Sequence, residues 1–198
     1  DDLWSFEGKN VPIHWHNDLE INLIREGEAV FQVYQKSYRV RTGEGFLLNR
    51  NVPHSCSSPG NEHVRYSTIL VRPDFLYGDF GSDVERKCFQ PFLQNSAIPC
   101  IHLTGFDENG KEILWKLNQV EEAFDRKRFC YELKIKGLLC EAFAMILYGH
   151  RQELTKFVPA NLQELERLEK MLNYLNMHFT EVISLQDLAD QVHLSREV

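Results

Sequence analysis

Residues Gly8–Gly27 read GKNVPIHWHNDLEINLIREG, and this stretch decides the expected fold. Written as spacing, it is G-x5-H-x-H-x3-E-x6-G. His14 and His16 are two residues apart, so on a β-strand both imidazoles lie on the same face. Glu20 has the same parity, and an unbroken strand directs its carboxylate to that face too. Imidazoles and carboxylates are ligands for Zn, Fe, Mn or Ni, so the stretch predicts a polar or metal-binding strand face.

Further short strands are predicted up to about residue 103. Leu19–Ile24 and Ala29–Tyr34 flank a turn in which Gly27 supplies the permissive backbone. A short helix is expected over Ser82–Gln94. The other predicted strands are Tyr38–Arg41, Gly45–Leu48, His63–Val71 and Ile98–Leu103. Many short strands at close spacing favour a sandwich or a barrel.

The opening stretch resembles the first motif of the cupin superfamily. It matches at every fixed position, namely Gly8, His14, His16, Glu20 and Gly27. The second motif, G-x5-P-x-G-x2-H-x3-N, is matched only in part. Its first glycine and its histidine are Gly43 and His54, whereas Asn49, Asn51 and Ser58 stand in place of the usual Pro, Gly and Asn. The resemblance covers about residues 8–103 and implies a cupin-like antiparallel β-barrel (jelly roll).

The resemblance leaves two roles open for the polar residues of the barrel. His14, His16, Glu20 and His54 occupy the metal-ligand positions, which implies a divalent Zn, Fe, Mn or Ni ion. In cupins that serve as sensors, the same side chains also persist without a firmly bound metal and hydrogen-bond each other or a polar ligand. Asn22 shares the parity of Glu20, so the candidate ligand-binding residues are His14, His16, Glu20, Asn22 and His54.

Other aromatic and histidine residues have weaker signals. Trp4, Trp15 and Tyr34 either stack against a flat ligand such as a sugar or pack in the core. Four further histidines have no partner at ligand spacing and are predicted to be surface or structural residues; they are His63, His102, His150 and His178.

After Gly105 the apolar pattern becomes helical. Residues Ile113, Leu117, Val120 and Phe124 recur at steps of four, three and four and mark one helix face. A second helix is predicted from about Tyr131 to Gly149, after a basic turn at Asp125–Arg128. This antiparallel hairpin either packs against the barrel or forms a dimer seam along the Ile113–Phe124 stripe, and the pattern is the same in both cases.

The end of the chain resembles the AraC family of bacterial regulators. Ser184 with Asp187 predicts a capped helix, Val192-His193-Leu194 has the length of a turn, and Ser195 is a natural cap for a next helix. This is the layout of a helix-turn-helix, and a preceding helix over Leu162–Phe179 matches the family as well. The resemblance implies DNA contacts from Ser195 and Arg196.

Composition limits what this chain does by itself. The net charge of −7 excludes the broad basic face of an autonomous nucleic-acid binder. The five cysteines show no CxxC pair, which favours free thiols in a reducing cytoplasm. No apolar run is long enough to cross a bilayer, and the start does not have the pattern of a signal peptide.

These observations predict a mixed β-then-α chain in four segments. Residues 1–105 form the sensor barrel, 106–150 the helical hairpin, 151–160 a linker, and 161–198 the incomplete start of the helix-turn-helix domain. The implied function is a cytoplasmic, ligand-responsive transcription regulator that catalyses no reaction. Its expected partners are a small-molecule effector, with sugars common in the family, a second copy of the chain, and promoter DNA in the full-length protein.

Two other functions remain open at this point. One is a metal-dependent cupin enzyme, such as an oxygenase or isomerase, because fold does not fix function. The other is a cupin interaction module without a ligand. The fragment itself is expected to bind DNA weakly or not at all, since Arg196 is the only lysine or arginine within Ser184–Val198.

Overall fold

The structure is a computed structural model that describes residues 10–60, 63–156, 167, 170, 171, 174, 175, 177–179 and 181–192. The chain divides into two compact units, Asp1–Val158 and Pro159–Val198. The first unit contains all eight strands described and most of the helices. None of the helices described has the length and apolarity needed to cross a membrane.

Eight antiparallel strands form two four-stranded sheets. The strands are β1 Asn10–His14, β2 Leu19–Glu26, β3 Glu28–Val33, β4 Lys36–Arg41, β5 Gly45–Leu48, β6 His54–Ser57, β7 Arg65–Val71 and β8 Cys100–Leu103. The first sheet has the order β1-β6-β3-β4 and the second the order β7-β2-β5-β8. Among the described residues no strand pairing joins the two sheets, so the cupin-like barrel consists of two facing sheets rather than a closed ring.

Within the described residues, six helices with defined bounds and one π-helical segment follow or interrupt the strands. The helices are α1 Pro73–Tyr77, α2 Gln90–Leu93, α3 Glu108–Arg126, α4 Tyr131–Gly149, α5 Arg151–Thr155 and α6 Leu185–Gln191, and the π-helical segment is Glu85–Phe89. The predicted β-then-α order is therefore confirmed. The expected helix over Ser82–Gln94 is the π-helical segment followed by α2, and α4 has the predicted bounds.

Strand β2 is buried on both of its faces. Leu19, Ile21 and Leu23 belong to a core shared with α3 and α4, on the outer side of the second sheet. The intervening residue Ile24 belongs to a separate core between the sheets, together with Phe31 and others. This is why the sequence Leu19–Ile24 is nearly continuously apolar rather than alternating. One strand thus separates the barrel interior from the helices.

The stripe of α3 packs inside the chain. Ile113, Leu117 and Val120 are at most 8% exposed and lie in the core with the second sheet and α4. Residues already buried this way cannot form a dimer seam, so the proposed seam along Ile113–Phe124 is wrong. Only Phe124, 56% exposed, is accessible on that stripe. Of the two alternatives for the hairpin, the structure shows packing against the barrel.

Two turns depend on glycines of the first and second motifs, Gly27 and Gly43. Gly27 has φ +80°, and a Cβ at this position would lie 2.3 Å from the carbonyl oxygen of His63. Gly43 has φ +87° with open space around it. Asn51, which replaces the usual glycine of the second motif, adopts φ 57°, a left-handed conformation that asparagine tolerates. The altered motif therefore still forms a turn before His54.

The second unit begins its described helix with the predicted cap. The Ser184 hydroxyl accepts a hydrogen bond from the Asp187 backbone N–H, and the Asp187 carboxylate accepts one from the Ser184 N–H at 2.7 Å. The helix α6 is confirmed as a capped helix. Ser195 and Arg196, the predicted DNA contacts, lie outside the described residues, as do Gly8, Trp4 and most of the expected Leu162–Phe179 helix.

Candidate functional site

Four predicted side chains meet at one end of the barrel. His14, His16, Glu20 and His54 each offer a ligand atom, and these atoms lie within 4.8 Å of one another. The rings of His14 and His54 are the closest pair, with centroids 4.2 Å apart. Glu20 and His54 are buried, whereas His14 and His16 are partly exposed, so the cluster opens to solvent on the side of the two N-terminal histidines.

The route by which they meet differs from the predicted one. An unbroken strand from His14 to Glu20 does not form, since β1 ends at His14 and β2 begins at Leu19 in the other sheet. His54 pairs with His14 across β1 and β6 of the first sheet. Glu20 therefore faces the histidines across the space between the sheets. The prediction that His14, His16 and Glu20 share one face of a single strand was therefore wrong. Within β2 the alternation holds, and Asn22 follows Glu20 on the inner face.

Each of the three imidazoles is fixed by its Nδ1 atom. Nδ1 of His14 lies 2.9 Å from the Pro12 carbonyl, Nδ1 of His16 lies 3.0 Å from that of Asp18, and Nδ1 of His54 lies 2.7 Å from that of Val52. A carbonyl only accepts, so Nδ1 carries the proton in all three rings. In a neutral ring Nε2 is then an acceptor that is free to meet a ligand or a metal. No pattern in the sequence indicates these three carbonyl contacts.

Glu20 connects the histidines to a buried amide. Its Oε2 lies 2.7 Å from His16 Nε2 and 3.3 Å from His54 Nε2. Its Oε1 accepts a 2.7 Å hydrogen bond from Asn22 Nδ2, and Asn22 Oδ1 accepts one of 2.9 Å from the Thr68 hydroxyl. Asn22 is fully buried. Because Nδ1 of His16 already donates to a backbone carbonyl, its short contact with a carboxylate through Nε2 requires an imidazolium.

These contacts shift the pKa values in opposite directions. The hydrogen bond to Glu20 raises the pKa of His16, although burial opposes this. Burial by itself raises the pKa of Glu20, but its hydrogen bonds to His16 and Asn22 and the nearby His54 imidazole outweigh burial and hold this pKa well below the ordinary value. Burial lowers the pKa of His14, so this imidazole favours the neutral form. The site thus combines one charged pair with a neutral histidine.

The His54 Nε2 atom has no hydrogen-bond partner within the described residues. It is buried, and its 3.3 Å approach to Glu20 does not have hydrogen-bond geometry. A buried ring nitrogen aimed at a carboxylate and two further imidazoles fits a divalent cation, because three neutral Nε2 atoms and one carboxylate oxygen form a donor set used by Zn, Ni, Mn or Fe. The cluster could therefore hold a metal ion.

The remaining predicted residues lie apart from this cluster. Trp15 is half-buried between the two N-terminal histidines in sequence, while Tyr34 is 49% exposed in the turn after β3. His102 pairs with Glu44 at 2.9 Å on the surface. Deeper in the barrel the interior is apolar: Phe31 and Phe46 stack with centroids 4.7 Å apart. The polar site is confined to the open end.

Comparisons with known proteins agree on a regulator family. The model of the family described as "AraC-like ligand binding domain" matches residues 3–100. A Bacillus subtilis protein named "Uncharacterized HTH-type transcriptional regulator YdeC" is 25% identical over 187 residues, covering 94% of this chain and 62% of that protein. The chain thus spans less than two thirds of the length of that relative.

A solved structure supports the fold. Apo ToxT K231A from Vibrio cholerae aligns over 95% of this chain and 66% of its own, with a TM-score of 0.50 and 14% identity. At this identity the likeness concerns the fold alone: antiparallel sheets followed by helices. The mixed β-then-α class is therefore shown both by the strands themselves and by an independent structure.

Proposed function

Because residues 3–100 match the model of the AraC-like ligand-binding domain family, we propose that this chain is the sensor region of a ligand-responsive bacterial transcription regulator. The observation that carries the proposal is the histidine–glutamate cluster at the open end of the barrel, in a domain of that family. The name of the Bacillus relative, an HTH-type regulator, and the capped helix α6 support it. On this proposal the full-length protein works in the cytoplasm, on promoter DNA, and catalyses no reaction.

The effector site we propose comprises His14, His16, Glu20, Asn22 and His54. Nε2 of His14 and of His54 accepts hydrogen bonds when these rings are neutral, and the Glu20 carboxylate accepts as well. A ligand with several hydroxyl groups supplies donors to all three of these acceptors. Sugars have this chemistry. The partly exposed His14 and His16 lie on the side from which such a ligand enters.

Strand β2 provides the route from the effector to the helices. Glu20 and Asn22 face the site, while Leu19, Ile21 and Leu23 pack in the core with α3 and α4. A ligand that binds one arrangement of the site better than another shifts the position of β2, and the helices packed on it follow. Differential affinity for the two arrangements is the only source of this coupling.

We include a divalent metal ion in the proposal only as a group that the cluster would hold next to the effector. Three Nε2 atoms and the Glu20 carboxylate would hold the ion, and it would polarise an oxygen of the effector as a Lewis acid. The backbone carbonyls of Pro12, Asp18 and Val52 keep the imidazoles oriented for this role. Without the ion, the same carbonyls and the Glu20–His16 pair keep the site ordered for a hydroxyl-bearing ligand.

We also propose that the full-length protein is a homodimer, through a different face from the one predicted. The outward stripe of α4 consists of Leu133, Gly137, Glu141, Ala144 and Tyr148, all exposed and spaced by three or four residues. Two small residues between a leucine and a tyrosine allow a second helix to approach closely. A sedimentation mass of one chain at micromolar concentration would contradict this arrangement, and an Ala144→Arg change is expected to abolish the dimer.

A thermal-shift screen tests the effector site. We expect one sugar or hydroxylated metabolite to stabilise the chain, by about 2.7 kcal/mol at a hundredfold excess over its Kd. The stabilisation should disappear in His14→Ala and persist in His102→Ala, whose histidine lies outside the cluster. Stabilisation that survives His14→Ala would place the effector elsewhere. Turnover of the stabilising compound by metal-loaded protein would support the enzyme alternative instead.

A mobility-shift titration tests the DNA-binding expectation. Residues 1–198 should bind promoter DNA weakly even at low salt, because little phosphate-neutralising charge is present in the tail. Sequence-specific binding by this chain would contradict the expectation. The same titration with the full-length gene product should give a discrete complex, which is the positive control.

A further inference from the structure

A cavity lies outside the barrel, between β7 and the helical hairpin. Its volume is about 690 Å³, within the range of small-molecule sites. Most of its wall is apolar: Ile69 from the strand, Val120 and Phe124 from α3, and Tyr131 and Ile135 from α4 line it. The β7 strand is the edge strand of its sheet, so this groove is open along one side.

One carboxylate oxygen in this groove has no partner. Glu121 lines the cavity, and its Oε2 pairs with Arg25, whose Nε also donates to the Ser67 hydroxyl at 3.1 Å. The other oxygen, Oε1, is buried and accepts no hydrogen bond within the described residues. A carboxylate oxygen left without a donor is costly, so a turn of this side chain, 23% exposed, toward a donor in the groove is favourable.

The other ionic groups of the groove wall also favour a cation. Asp125 and Glu132 line the cavity, and the arginine that lines it, Arg72, is already paired with Asp74. Two aromatic rings of the groove wall already face lysines of this chain: Lys127 lies 5.2 Å from the centroid of Phe124, and Lys136 lies 5.5 Å from that of Phe75. A carboxylate ligand would meet three acidic side chains here, whereas an ammonium group meets acceptors.

We propose that this groove is a second ligand site, specific for an amphipathic primary amine. After this turn of the side chain the ammonium donates to Oε1 of Glu121, and the apolar body lies between Ile69, Val120 and Ile135. The site is distinct from the histidine–glutamate cluster. It goes beyond the effector function proposed above, and it stands whether or not the barrel binds a sugar.

One short hydrogen-bond chain joins the wall of the groove to the histidine cluster, and a second joins the groove to β2. Thr68 lines the groove, and its hydroxyl reaches Glu20 through Asn22. Arg25, at the far end of β2, connects Ser67 of β7 to Glu121 of α3. Glu121, which we assign to the amine, is thus paired with a residue of β2, the strand that also carries Glu20 and Asn22.

Calorimetry and methyl NMR with matched amine and acid probes test the proposal. Tryptamine, phenethylamine and hexylamine serve as amine probes, and indole-3-propionic acid is the acidic counterpart of tryptamine. We expect tryptamine to shift the methyl NMR signals of Ile69 and Ile135, and the acid to bind at least about tenfold more weakly. Glu121→Gln should weaken tryptamine binding about tenfold, the effect of losing one charge-assisted hydrogen bond. Glu122→Gln, the adjacent α3 residue paired with Arg126, should leave it unchanged.

A second variant covers the case in which Glu121→Gln unfolds the hairpin. Ile135→Trp fills the groove, keeps the Arg25–Glu121 pair, and should abolish tryptamine binding with the fold intact. Equal binding of amine and acid, binding that survives both variants, or no binding by any of the three amines would overturn the proposal. So would a dimer that Ile135→Trp disrupts, because the groove would then be an interface between copies of the chain.

Discussion

Replacement of Glu20 by glutamine isolates the electrostatic part of the histidine cluster. Glutamine has the same shape, keeps the oxygen that accepts from Asn22 at 2.7 Å, and presents an amide N–H to His16. In the wild type the 2.7 Å contact joins a carboxylate to an imidazolium. In the variant, a neutral amide donates to a neutral imidazole. The difference is a charge-assisted hydrogen bond against an ordinary one, about 1–2 kcal/mol.

This difference should depend on pH in a bell shape. The lowered pKa of Glu20 gives stability that is present above its ordinary value of 4.5 and is lost as the pH falls. The raised pKa of His16 gives stability that is full below 6.5 and is lost as the pH rises through the folded-state pKa. The wild-type advantage is therefore largest between about pH 4.5 and 6.5 and declines on both sides.

Urea denaturation in a chelating buffer from pH 4 to 9 measures this advantage, with the slope checked for two-state behaviour. A matched control is Glu44→Gln, which breaks the 2.9 Å surface contact with His102. It should cost no more than about 1 kcal/mol and lose its effect in salt. A flat difference between wild type and Glu20→Gln across the pH range would refute the charged-pair reasoning, as would an unchanged NMR titration of His16.

Three further variants test the backbone conformation at Gly27, the proposed metal ligands and the buried face of α3. Gly27→Ala should destabilise the chain by about 2–4 kcal/mol, because the added Cβ clashes and the residue is also in a left-handed conformation. Gly43→Ala, which has open space around it, should cost about 1 kcal/mol. Equal losses of stability in urea denaturation would contradict the clash at Gly27. His54→Ala should reduce the Zn²⁺ affinity of tag-free protein at least about a hundredfold and abolish the accompanying proton release. His102→Ala should change neither quantity. Calorimetry in two buffers of different ionisation enthalpy measures both the affinity and the number of protons released. Leu117→Ala, fully buried, should cost about 2–5 kcal/mol in the same denaturation assay, and a loss below about 1 kcal/mol would mean that this stripe is not core.

The strands and the histidine–glutamate cluster could be predicted from the sequence because the motifs that mark them are short and local. The spacing of the first motif identified His14, His16 and Glu20, and the second motif added His54 even with Asn51 in the place of glycine. The structure brings these four together. The connection was mispredicted because His14 and Glu20 lie on different sheets, and a change of sheet within four residues leaves no mark on the hydrophobic pattern.

The helical side was predicted less completely. The stripe Ile113–Phe124 marks an apolar face, but periodicity does not say what covers it, and here the sheet does. The amine groove was not predicted at all. Its central contact joins Arg25 to Glu121, 96 residues apart, and no local pattern relates two such charges. Burial of Glu121 Oε1 is a property of the folded chain alone.

The alternation along β2 has a practical consequence for engineering. Glu20, Asn22 and Ile24 face one compartment, and Leu19, Ile21 and Leu23 face the other. A combinatorial library confined to the even positions would alter what the pocket recognises while leaving the helix-facing surface intact. Under the proposed sensor function, reporter strains would select variants that respond to new effectors, and substitutions at the odd positions would change basal activity instead.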